Sequence, residues 1–285
     1  MQRSASAWTE LGGGIRVRRS AAYAMNSVLL LDREHTVIVD PGVLPSELDD
    51  MKRAVDEAAP EQVTLFFTHA HWDHVLGRPW WPGARIVAHD RFGAEVRRDR
   101  AKILDEATKL AAEHGETWSA GFEPFVPHEP MSGMRFAKLG PWRVVWRDAP
   151  GHCDSSLNLH LPEARTLLAG DMLSDIEIPW LNRQPAAYRA TLEALVPLAA
   201  NDAIETLIPG HGAIARSAEA VRARLRRDLD YLDALEAGVT EAKREGLSLE
   251  RAQEALREPG FDVADAAFMA PVHRGNVKLA WEAAQ

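Results

Sequence analysis

The chain has 285 residues, 46% of them apolar and 26% charged, which is enough ordinary globular sequence to bury one large core or two smaller ones. Its formal charge of −9 argues against a nucleic-acid partner, because a polyanion needs a basic stripe. Basic clusters such as Arg97-Arg98 and Arg222 to Arg227 are interleaved with acids and read as solvated helix faces. With Cys153 as the single cysteine no intrachain disulfide is open to it, residues 1–14 contain no apolar leader, and no apolar run approaches the length of a membrane span. The expectation is a cytoplasmic, soluble chain with no membrane partner.

Ile15 to Val17, Asn26 to Leu31 and Thr36 to Val39 are short aliphatic and β-branched runs predicted as strands. The third enters Asp40-Pro41-Gly42, a turn signal. A carboxylate at the end of a buried strand is well placed to hydrogen-bond a metal-bound histidine; the alternative is a plain turn aspartate. Ser46 to Ala59 carries Leu48, Met51, Val55 and Ala58 at helical spacing, with Ser46 as the expected cap. Val63 to Phe67 reads as a buried strand, and it breaks into Thr68-His69-Ala70-His71-Trp72-Asp73-His74. In extended chain His69 and His71 point to one side, while Asp73 and His74 fall where the chain turns. That spacing suits two metal ions served by one loop.

Arg85 to Ala88 is a further strand, and Arg91 to His114 a charged helix. Residues 116–133 are rich in glycine and proline around Trp118, Phe122 and Phe125, and read as a lid or as a surface crossover packed by its own aromatics. Arg135 to Lys138 and Trp142 to Trp146 form a predicted hairpin around Gly140-Pro141, and its second strand runs into Pro150-Gly151-His152. Leu157 to Leu161 and Thr166 to Ala169 are strands on either side of Pro162-Glu163, the latter ending in Gly170-Asp171. Ala187 to Ala199 is a helix, and Glu205 to Ile208 a last strand entering Pro209-Gly210-His211-Gly212. Strands therefore end repeatedly in metal-competent residues. Beyond them Ser217 caps a long amphipathic helix with Val221, Leu225, Leu229, Leu232, Leu235 and Val239 on one face, Gly246 stops it, and Ser248 starts a shorter one. The expected division is a catalytic domain over residues 1–216 and a helical extension over 217–285 packed on it. The apolar face would serve a homodimer as readily as its own core, so the oligomeric state stays open.

The ligand candidates are His69, His71, Asp73, His74, His152, Asp171 and His211. Imidazole and carboxylate without thiolate favour zinc, manganese or iron, and open coordination positions mark a catalytic site. These residues closely resemble the metallo-β-lactamase superfamily over roughly residues 15–212: the H-x-H-x-D-H motif stands complete at His69 to His74, and the later histidine, aspartate and histidine match His152, Asp171 and His211. The resemblance implies an α/β fold of the four-layer αββα kind, with the site at a sheet edge. It also implies two divalent ions, zinc first and manganese or iron as alternatives. His69, His71 and His152 would hold one, Asp73, His74 and His211 the other, and Asp171 would bridge both. Asp40 matches the strand-end aspartate of the pattern and Gly77 the glycine after the motif. Cys153 stands where threonine is usual and is not counted as a ligand.

Asp171 at the late ligand position resembles the glyoxalase II and lactonase side of the superfamily rather than its β-lactamases. Ser174 stands where the homoserine-lactone lactonases carry a tyrosine, and His273-Arg274 only loosely replaces the basic cluster of glyoxalase II. The implied activity is hydrolysis of an ester, thioester or lactone by a hydroxide held between the metals, with Asp73 and Asp171 as catalytic carboxylates. Alternatives are a mono-iron, persulfide dioxygenase-like oxidoreductase, a β-lactam-hydrolysing enzyme, and a non-enzymatic binding protein. Trp72, Trp80, Trp81, Ile176, Ile178, Trp180 and Leu181 flank the ligands; they read as core or as the wall for a small-molecule substrate with a hydrophobic arm.

Overall fold

A computed structural model describes residues 8–258, 263 and 265–284; the stretch before Trp8, on which the expectation of no leader partly falls, lies outside the described residues. Among these, no helix is long and apolar enough to cross a membrane. The chain forms two compact units, residues 1–148 with 157–164, and residues 149–156 with 165–285.

The first unit holds a seven-stranded sheet in chain order: β1 (Trp8–Gly12), β2 (Ile15–Arg19), β3 (Asn26–Leu30), β4 (His35–Val39), β5 (Gln62–Phe66), β6 (Arg85–His89) and β7 (Glu129–Met131). The pairings are antiparallel from β1 to β4 and parallel from β4 to β7. Strands β3 and β4 are buried along their whole length, which is why they read as continuous apolar runs rather than alternating ones. Leu29, Ile38 and Leu65 share a core with Leu48, Met51 and Val55 of helix α1 (Pro45–Ala58). The next residue along, Phe66, meets Trp146 across 6.4 Å between ring centres, as period-two alternation demands. Trp146 lies on a three-stranded antiparallel run, β8 (Met134–Leu139), β9 (Trp142–Asp148) and β10 (Leu157–Leu161), with the expected hairpin at Gly140-Pro141.

Several boundaries differ from the sequence expectation. Strands β1 and β7 lack a strong apolar signal, and β7 is a three-residue edge strand containing Pro130, the position where a missing N–H is tolerated. Ser46 does not cap α1: the cap is Leu44 with Pro45 in the first turn, and the Ser46 hydroxyl instead donates to Glu116 at 2.6 Å. The single helix expected over Arg91 to His114 is two, α2 (Phe92–Arg98) and α3 (Arg100–Glu113), broken at Asp99, a residue type that favours helix ends over interiors. The segment after Glu116 is anchored by its own aromatics, with Phe125 packed 5.2 Å from Phe67 and 5.4 Å from Phe92, and Trp118 5.6 Å from Trp80.

The second unit contains the parallel pair β11 (Thr166–Gly170) and β12 (Thr206–Pro209) and helices α4 (Pro185–Ala200), α5 (Ala218–Arg244), α6 (Leu249–Ala255) and α7 (Ala266–Ala283). Ser217 and Ser248 cap α5 and α6 as expected, accepting from Ala220 N at 3.1 Å and Arg251 N at 3.4 Å. Val221, Leu225, Leu232, Leu235 and Val239 pack into one core with Leu167, Leu192, Leu207 and Val277, so the long apolar stripe serves its own unit. Arg224 and Arg227 are half-buried rather than part of a freely solvated face. Arg224 donates to the carbonyl of Leu173 at 3.0 Å, and Arg227 to those of Ser174 at 2.5 Å and Glu177 at 3.1 Å.

Asp228 on α5 is buried and accepts from Leu173 N at 3.1 Å and from the Tyr188 hydroxyl at 3.3 Å. Burial pushes its carboxyl up from 3.8 to about 7, with Arg227, the Leu173 N–H and the Tyr188 hydroxyl holding it partly back. Because the folded pKa lies above the unfolded one, the native state binds the extra proton between these values and stability falls as pH rises through that window. The loss is on the order of 4 kcal/mol between about pH 4 and 7. Asp228→Asn is expected to remove most of this slope; thermal midpoints from pH 5 to 8 that track those of the parent chain would contradict the assignment.

Candidate metal centre

The first unit gathers five of the sequence-predicted residues. β5 ends at Phe66 and the chain runs extended to His71, then tightens into a 3-10 turn over Trp72–His74, closed by His74 N donating to His71 O at 3.1 Å. The extended part places the His69 and His71 rings 4.7 Å apart, and the turn brings the His74 ring to 4.1 Å from His69. Asp73 Oδ2 lies 3.9 Å from His74 Nε2.

Asp40 holds this loop from below. It follows β4 directly, is buried, and has left-handed backbone (φ 46), a conformation an aspartate tolerates better than most residues. Its Oδ1 accepts from Thr68 N at 2.7 Å, and its Oδ2 accepts from the Thr68 hydroxyl at 2.5 Å and from His74 Nδ1 at 2.9 Å. The Thr68 hydroxyl has one proton and spends it on Asp40, so it accepts from His69 Nδ1 at 3.0 Å. Both imidazoles are thereby fixed with the proton on Nδ1 and the lone pair on Nε2. Asp40, His69 and His74 offer ligand atoms within 4.8 Å of one another. Gly77 has an ordinary φ but no room for a side chain: a Cβ there would stand 2.5 Å from Pro41, so glycine lets the motif loop close onto the Asp40 turn.

The second unit gathers the other three. The Pro150-Gly151 turn delivers His152: Gly151 has φ +128 and would strike Tyr188 of α4 if it carried a Cβ, and Thr191 of α4 donates to Pro150 O at 2.8 Å. His152 Nδ1 donates to the carbonyl of Trp180 at 3.1 Å, and its Nε2 lies 3.4 Å from Asp171 Oδ2. Asp171 follows β11, and its Oδ1 lies 3.5 Å from His211 Nε2 beyond β12. One carboxylate thus stands between two imidazoles. A Cβ on Gly210 would come within 2.0 Å of Asp171 Oδ1, so glycine makes room for that carboxylate. After Asp171 the chain passes through Leu173 at φ 62, a strained conformation for leucine, held by Asp228 on its N–H and Arg224 on its carbonyl. Cys153 is buried with Sγ 3.3 Å from Ser155 Oγ. His273 lies in the core, donating from Nε2 to Leu256 O at 2.6 Å, and burial lowers its pKa.

Thr68, Trp180 and Gly210 were not singled out as site residues by their spacing. Thr68 acts through a hydroxyl adjacent to the motif, Trp180 through a backbone carbonyl, and Gly210 through absent volume; only the residue beside His69 carried any local signal. Of the flanking apolar residues, Trp81, Ile178 and Leu181 are core, whereas Trp180 is 42% exposed.

The profile described as "Metallo-beta-lactamase superfamily" matches residues 22–211. Among curated proteins, "Acyl-coenzyme A thioesterase MBLAC2" of Homo sapiens is 25% identical over 202 residues, 65% of this chain and 72% of that protein, and the Bos taurus protein of the same name is 26% identical over 204 residues with the same coverage. Among solved structures, the stereoselective inverting sec-alkylsulfatase Pisa1 from Pseudomonas sp. aligns with TM-score 0.68 at 15% identity, over 98% of this chain and 50% of that one. A metallo-beta-lactamase family protein from Thermus thermophilus aligns with TM-score 0.64 at 21% identity, over 93% of both chains. The structural likeness shows the expected mixed α/β fold with two sheets and a helical C-terminal part, and, with the profile running through both ligand sets, this chain belongs to the metallo-beta-lactamase superfamily.

Proposed function

We propose that the chain is a metal-dependent hydrolase of esters or thioesters, in which the two ligand sets share a pair of divalent ions, zinc first and manganese or iron as alternatives. The observation that carries this reading is the proton placement on the imidazoles. Nδ1 of His69, His74 and His152 is engaged by the Thr68 hydroxyl, the Asp40 carboxylate and the Trp180 carbonyl, which leaves the lone pair of each on Nε2. Outer partners of this kind fix the tautomer and ring orientation of metal-binding histidines.

The donor chemistry fits the ions. His69, His71 and His152 would hold one, Asp73, His74 and His211 the other, and Asp171 both. Two carboxylates against two dications leave the centre positively charged and electrophilic. When bound, such ions bring the pKa of water near neutrality and polarise a carbonyl. The chain's own residues do the rest. Asp40 and Thr68 keep His69 and His74 from rotating. Asp171 holds His152 and His211 to a common carboxylate. Asp73, buried beside His74, would accept the proton of the attacking water. The ester and thioester class is supported by the thioesterase name of the curated relatives.

Elemental analysis of the chain as purified is expected to return about two divalent ions per chain, with metal-dependent thiol release from acyl thioesters. A single iron with oxygen uptake on glutathione persulfide would replace this reading with sulfur oxidation, and opening of β-lactams without thioester turnover would replace it with β-lactam hydrolysis. Asp171→Ala is expected to lose most turnover and the paired metal state; full turnover with both ions retained would sink the shared-carboxylate arrangement. Asp40→Ala is expected to cost about 10- to 100-fold in metal affinity, read by competition with a chromogenic chelator, and an unchanged affinity would reduce Asp40 to a turn residue.

A further inference from the structure

The segment Pro179-Trp180-Leu181 is held unusually firmly for a loop. Asn276 of α7, itself buried, donates to Pro179 O at 2.6 Å and accepts from Leu181 N at 3.1 Å, and it is braced by the Tyr231 hydroxyl at 2.7 Å. Ile178 and Leu181 on either side are 3% and 4% exposed and belong to the core. Between these anchors Trp180 points outward. Its carbonyl receives His152 Nδ1, and its ring stands edge-on to the His152 ring at 6.3 Å and 89°. Phe268 of α7 also stands edge-on to the Trp180 ring, at 6.3 Å and 74°, and is 44% exposed.

Two large aromatic rings stand in contact and half-open to solvent, and contiguous exposed apolar surface of this kind marks a binding site. A rigid tryptophan offers large contact area at little cost in side-chain entropy, which is the property of a binding anchor. Trp180 thus links a ligand histidine to a second exposed ring, that of Phe268 on α7. In a coenzyme A thioester, the class named for the curated relatives, the leaving group is polar and charged, so the arm that apolar rings would receive is the acyl group.

We propose that Trp180 and Phe268 form an apolar platform that receives the acyl arm of the substrate, making an extended straight-chain acyl group the preferred class. This rests on the hydrolase reading above for its substrate but is tested without turnover. Calorimetric titration of the zinc-reconstituted chain with straight-chain carboxylates from butanoate to dodecanoate is expected to show affinity rising about twofold or more per added CH₂. Trp180→Ala and Phe268→Ala are each expected to flatten that rise, with dodecanoate weakened on the order of 10-fold, and Trp180→Phe to restore part of it. Phe136→Ala, which removes a ring 75% exposed on β8, should keep the parental slope. Affinity independent of chain length in the parent, or an unchanged slope in both alanine variants, overturns the platform. Should Trp180→Ala also shed zinc through His152, Phe268→Ala decides, since it leaves in place the Trp180 carbonyl that His152 Nδ1 bonds. A thioester series run in parallel separates the two readings. Retained slope without turnover removes the hydrolase and keeps the platform, whereas turnover without slope does the reverse.

Discussion

The orientation of His69 and His74, the two most buried imidazoles of the first unit, depends on one buried carboxylate. Asp40 sits where β4 ends, in a backbone conformation most residues avoid, and it takes hydrogen bonds from Thr68 twice and from His74 once. A buried anion of this kind is costly unless its oxygens are satisfied, and here they are satisfied by the loop it must organise. The same bonds that compensate the charge determine which nitrogen of His69 and His74 carries the proton. Stability and chemistry are thus served by a single set of contacts, and the absent side chain at Gly77 lets the loop lie close enough for them to form.

The second unit solves the same problem by different means. His152 is oriented by a backbone carbonyl, Asp171 is seated against a glycine, and the loop between Asp171 and α4 is held by Asp228, Arg224 and Arg227 from α5 and by Asn276 from α7. The C-terminal helices are therefore not decoration on a finished core. They supply the polar groups that fix the backbone after Asp171 and before α4, including the strained Leu173. Arg224 and Arg227, expected on a solvated helix face, are half-buried partners of loop carbonyls, where a charge-assisted hydrogen bond holds a conformation that local propensity would not choose.

The chemistry follows from the donor types more than from the fold. Imidazoles and carboxylates without thiolates accommodate several divalent metals, and proteins of different named activities resemble this chain, a thioesterase in sequence and an alkylsulfatase in fold. Function in such a family is decided by what surrounds the ligands. In the second unit, the ring of Trp180 next to His152 and that of Phe268 next to Trp180 remain accessible.

Much of this was legible in the sequence because it is local. The β-branched runs of β3 to β5, the serine caps of α5 and α6, and the spacing from His69 to His74 are short-range patterns, and the structure places them within a residue or two of expectation. The displaced cap at Ser46 was decided by a partner elsewhere, Glu116. So was the choice between solvated and half-buried for Arg224 and Arg227. The sequence by itself determined the ligand types, their order and the strands that carry them, because period two and turn chemistry act over a few residues. Only the tertiary structure decided the tautomers, the fit of Gly210 against Asp171 and the exposure of Trp180, because each depends on atoms brought together across tens of residues by packing that no local pattern records.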